Sequence, residues 1–182
     1  MTVDCPLDCE YLEEARRHEK PQPIDEAQIP NRDITVTERF LQEHEPLLAF
    51  TAGVIAEAAF AQGGAIDYDV REALDSLIRT YRTLQSGVYY ETLPPNPLSA
   101  NVYGHVQQSL AEYRRRETEQ LGVSRTRDAD VLGVLVFLQR VELDRNNGRR
   151  RGRAFLDMLR QFYSPASAPP AGGSSASPLI LP

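Results

Sequence analysis

Asp67-Tyr-Asp-Val-Arg-Glu-Ala-Leu-Asp-Ser-Leu-Ile-Arg-Thr-Tyr-Arg-Thr-Leu84 is the stretch on which the fold turns. Val70, Leu74, Leu77, Ile78, Tyr81 and Leu84 recur every three or four residues, so in a helix they fall on one face, whereas a half-buried strand would need strict alternation. Gly63-Gly64 separates this helix from what precedes it, and Gly87 supplies the left-handed residue at which it can stop.

Upstream, Thr35 or Thr37 offers an N-cap hydroxyl with Glu38 in the first turn, and Val36, Phe40, Leu41, Leu47, Leu48, Ile55 and Ala59 continue a helical stripe. Pro46 lacks the N–H that an uninterrupted helix needs, so it predicts a kink or a split. Before this, Pro21, Pro23 and Pro30 forbid regular helix and make residues 21–34 a linker that wraps over the domain. Residues 1–20 are expected to carry a short helix beginning at Pro6.

Downstream, Val88 to Leu98 reads as a stiff extended loop containing Tyr89-Tyr90 and Pro94-Pro95-Asn96-Pro97. Ser99 is the expected cap of the next helix, whose apolar face is Val102, Tyr103, Val106, Leu110 and Tyr113 and whose second half, past Arg114-Arg115-Arg116, is solvated. Val131 to Leu138 has almost no polar side, as expected of a central helix buried all round; its valines leave a buried strand as the alternative. A last helix over Arg150 to Tyr163 presents Phe155, Leu156, Met158, Leu159 and Phe162 to the core. Residues 164–182 collapse to Pro, Ala, Ser and Gly without periodicity, a composition that cannot offset its ordering entropy and reads as a disordered tail. The fold class is therefore all-α: a single bundle of five to seven helices over residues 35–163.

The 182 residues suffice for one core, and 41% hydrophobic with 25% charged side chains is ordinary globular composition. The net charge of −6 conceals a polarised chain: residues 1–100 hold 18 acidic and 8 basic side chains, net −10, and 101–182 hold 8 and 12, net +4. An acidic total weighs against a polyanion-binding role, while the asymmetry leaves attraction to an oppositely charged partner available. The N-terminal residues lack the basic and apolar pattern of a secretory signal, and Leu47 to Ala61, 15 residues interrupted by Glu57, is too short and polar for a bilayer. The cytoplasm is the expected location, without membrane association.

Cys5-Pro-Leu-Asp-Cys9 places two thiols one helical turn apart, which is half of a tetrahedral zinc site. Packing of both as small apolar residues is the first reading; zinc completed by His44 or His105 from another helix, and a reversible dithiol, are the alternatives. His44, before Pro46, reads as a histidine satisfied at the kink rather than a base or ligand. Glu57, among Val54, Ile55, Ala56, Ala58, Ala59 and Phe60, is a candidate buried acid, which would need a cationic partner or a raised pKa. Arg145, Arg149, Arg150, Arg151 and Arg153 form a basic turn before a helix, suited to phosphate, but no aromatic residues alternate with them as base-stacking would require. The absence of a glycine-rich phosphate loop, nucleophile elbow or His-Glu-x-x-His pattern removes the common enzyme classes. The reading that results is a non-catalytic module that offers Tyr89, Tyr90 and the proline-rich loop to a protein partner or to a second copy. A metal or redox protein using Cys5 and Cys9 is the alternative, and a phosphate or nucleic-acid binder through Arg145–Arg153 the second.

Overall fold

A computed structural model describes residues 9–11, 14, 29–61, 63–146, 148, 149 and 151–163, with the side chains of residues 162 and 163 excepted. Among them are six helices and no strand: α1 (Glu38–Glu43), α2 (Glu45–Ala61), α3 (Asp67–Gln85), α4 (Pro97–Leu121), α5 (Asp128–Arg145) and α6 (Ala154–Tyr163). The all-α bundle is thus as expected, and the valine-rich run is helix. Most of residues 1–20, including Cys5, and the whole of 164–182 lie outside the described residues; Glu10, Tyr11 and Glu14 are described and exposed.

The split expected at Pro46 occurs at His44, which closes α1 with its N–H on the Phe40 carbonyl, and Glu45-Pro46 opens α2. Proline is accommodated there because the first turn of a helix has no carbonyl to receive its N–H. Thr37 is the cap of α1, its hydroxyl accepting the Phe40 N–H at 3.1 Å. Two expected boundaries are corrected. α4 begins at Pro97, capped by Asn96 rather than Ser99, because proline fits the first helical position and Asn96 accepts the Leu98 N–H at 3.0 Å. α6 begins at Ala154 rather than Arg150, because Asp67 captures the N–H groups of Phe155 and Leu156, each at 3.1 Å, and fixes the start of the helix there.

α3 is the hub, packed chiefly against α5 on one side and α4 on another, while α2 lies against α4 and α6. Direction follows from paired side chains. Arg71 meets Glu142 and Asp75 meets Gln139, so α5 runs antiparallel to α3. Asp69 meets Asn96, Glu72 meets Ser99, Thr80 meets Tyr103 and Tyr81 meets Gln107, so α4 runs parallel to α3. Val131 to Val136 are all buried because α5 is covered by α2, α3, α6 and the Phe40 ring of α1, which leaves no face for polar side chains. Each such fully buried aliphatic side chain contributes roughly 1.5–3 kcal/mol.

Candidate interaction surface

Two parallel helices joined in sequence need a connection that travels back the length of the first. Residues 88–96 make that return: α3 ends at Gln85 with Ser86 as its cap, Gly87 takes φ +78°, and the chain runs back along α3 to deliver Asn96 beside Asp69 in its first turn. The sequence favours this course, since Pro94, Pro95 and Pro97 hold the residues before them extended and forbid an early helix. We call this segment the strap.

Its anchors recur with period two. The Val88 N–H donates to the Thr83 carbonyl at 3.0 Å, the Thr83 hydroxyl lies 3.1 Å from the Tyr90 carbonyl and 2.8 Å from that of Thr80, which share its one proton, and the Thr92 N–H donates to the Thr80 hydroxyl at 3.0 Å. Thr80 is fully buried, and its hydroxyl also lies 3.1 Å from that of Tyr103, which receives the Gln107 amide at 3.1 Å. Burial pushes the Tyr81 phenol up to about 12 and raises Tyr103 above its ordinary value, so both remain neutral hydrogen-bonding groups across the biological pH range.

While its backbone is fixed, the strap turns its large side chains outward. Val88 is 59% exposed, Tyr89 66%, Tyr90 65% and Leu93 64%, with Tyr68 of α3 at 60% nearby. A groove of about 340 Å³ runs between strap and helix, lined by Tyr68, Asp75, Arg79, Thr92, Leu93 and Pro95. Glu91 is the one charged residue of the strap, exposed and adjoining the Tyr103 hydroxyl.

The other candidate residues sit elsewhere. The expectation that Glu57 is a buried acid is corrected: it is exposed, on the face of α2 that also carries half-buried Phe50 and Gly53 and exposed Ala61. Its apolar sequence neighbours point to other helices, since adjacent residues in a helix are about 100° apart. It lines a second groove, about 370 Å³, with His105, Glu112, Tyr113 and Arg116. Both ring nitrogens of His44 are engaged, Nδ1 2.9 Å from the Phe40 carbonyl and Nε2 3.4 Å from Asp130, and the ring stacks on Phe40 at 4.3 Å. Cys9 is a free, half-buried thiol, and no metal-holding group of three or more His, Cys, Asp or Glu side chains occurs among the described residues. Arg145, Arg149 and Arg151 are exposed, Arg150 lies outside the described residues, and Arg153 turns inward, 6% exposed, over the Phe60 ring at 4.8 Å.

Sequence reasoning missed a polar ladder between α3, α5 and residues 31–34. Arg71 binds Glu142 through two bonds of 2.8 and 2.9 Å, Asp75 receives the Gln139 amide, and Gln139 receives the Asn31 amide at 2.7 Å. Arg82 then grips Asn31 at 2.8 Å and Asp33 at 2.7 Å, while Arg140 donates to the carbonyls of Asn31 and Ile34, each at 2.8 Å. The available signal was Gln139, Arg140 and Glu142, polar residues that follow directly on the apolar run 131–138.

Compared with known protein families, with characterised proteins and with solved structures, the chain matches none. Among the described residues, no helix is long and apolar enough to cross a membrane.

Proposed function

We propose that the chain is a non-catalytic interaction module that binds a protein partner through the strap. One observation carries the reading: the backbone of residues 88–92 is tied to α3 at every second residue, while Val88, Tyr89, Tyr90 and Leu93 remain more than half exposed. Exposed aromatic and aliphatic side chains on a pre-ordered backbone lose little conformational entropy on association, and tyrosine is among the residues that dominate interface energetics. Single exposed apolar residues are ordinary on any surface, whereas four fall on this one short segment, and Leu93 shares its groove with Tyr68.

A photoreactive phenylalanine analogue at Tyr90, compared with the same analogue at exposed Gln120, tests this in the cells that express the protein. A discrete adduct from position 90 that is absent from 120, and lost when Tyr89 and Leu93 are changed to Ser, is the expected result. Identical adducts from both positions would remove the strap from consideration.

A further inference from the structure

The period of the strap's anchors determines which of its backbone groups are spent. In an extended chain, the N–H and C=O of one residue point to one edge and those of the next residue to the other. The Val88 N–H closes the end of α3 around Gly87, and along the strap the Tyr90 carbonyl and the Thr92 N–H face α3. Tyr89, Glu91 and Leu93 therefore direct theirs away from it, and among the described residues no hydrogen bond reaches the backbone of these three. The strap is half of a β-ladder, closed by a helix on one edge and open on the other, and an open edge is a template for another strand. We propose that the outer edge of residues 89–93 receives an extended peptide segment of a partner protein as an added strand, with a basic side chain set against Glu91.

A second copy of this chain is the obvious competing occupant, and charge decides against it. The antiparallel register that engages all three outward residues places Glu91 directly opposite its own counterpart, and like charges so placed repel. Exposed Glu91 is the strap's one charged residue, which favours a cationic segment over a second copy of the same edge. Main-chain bonds along the edge would supply affinity irrespective of sequence, while Tyr89, Tyr90 and Leu93 flank the added strand and select its side chains. This inference rests on the strap being the interaction surface.

The test is amide hydrogen exchange of the full chain, followed by NMR, with a short synthetic peptide that alternates valine and threonine around a central lysine. The amides of Tyr89, Glu91 and Leu93 are expected to slow about tenfold or more at saturation, while those of Val88 and Thr92, already bonded, change little. Methylating the peptide nitrogens that face the strap should weaken binding at least tenfold. With Glu91→Lys, a peptide bearing central glutamate should bind and the lysine peptide should not. A methylated peptide that binds as well as its parent, or an absence of protection at Tyr89 and Glu91, overturns strand addition; outer-edge protection that grows with protein concentration in the absence of peptide overturns the choice of partner. If binding persists without backbone protection and still depends on Tyr89 and Leu93, the interaction reading stands and only the mode of pairing fails.

Discussion

At Asp67, a carboxyl group only 3% exposed accepts the N–H groups of Phe155 and Leu156 and so starts α6 from 88 residues away in sequence. Burial pushes this carboxyl above its ordinary value of 3.8, outweighing the two N–H bonds that lower it. The folded chain then holds the proton more firmly than the unfolded chain, so Asp67 favours folding at low pH and loses that contribution as pH rises above 3.8 through the folded value. Asp67→Asn removes the charge but leaves one acceptor for the two N–H groups, so its stability relative to wild type should be lowest at low pH and improve as pH rises across that interval, read from urea midpoints at a series of pH values. Asp67→Ala leaves two buried N–H groups without partners and should cost about 2 kcal/mol at low pH, and less as pH rises through the folded value. Glu142, 1% exposed, is likewise raised by burial in spite of Arg71. Arg71→Met strands that carboxylate and should cost about 3 kcal/mol, whereas changing both residues to Met should restore most of it; equal losses in the single and double variants would contradict this.

Helix α1 reaches the bundle by laying the Phe40 ring over Gly133 of α5, where an added Cβ would lie 2.5 Å from Phe40 Cζ. Gly133→Ala should displace that ring, and with it the His44 stack, at about 2 kcal/mol, and Phe40→Leu in the same chain should return part of the loss when both are measured in one denaturation cycle. The helices themselves were legible because each long one carries its periodic apolar face in its own sequence, as Val70 to Tyr81 does. What determines their ends and contacts was not, because it comes from afar: Asp67 fixes the start of α6, and Phe40 explains the glycine within the apolar run. Glu57 was misjudged for the same reason, since its neighbours along the chain are not its neighbours in space. The loop bearing Tyr89 and Tyr90 was legible as an exposed aromatic segment, but its alternating anchors depend on Thr80 and Thr83, which carry no sequence sign of that task.

Across the whole molecule, segments without regular structure are held by side chains of regular ones. Residues 31–34 are held by Arg82, Gln139 and Arg140, so Arg82→Ala should hasten limited proteolysis between residues 29 and 37 while leaving helical circular dichroism unchanged. The strap depends on α3 in the same manner, yet its outward side chains do not contribute to that hold: Tyr89→Ser with Tyr90→Ser should shift the unfolding free energy by less than about 0.5 kcal/mol. The parallel course of α3 and α4 also sets an order of events. The threonine hydroxyls that fasten the strap exist as a row only once α3 has wound, and α4 can settle beside α3 only after the intervening chain has doubled back. Strap residues should therefore gain their contacts after α3 has wound and no later than α4 docks, with φ-values below those of the buried face of α3, so the doubling-back of residues 88–96 is the step that admits α4 to the bundle.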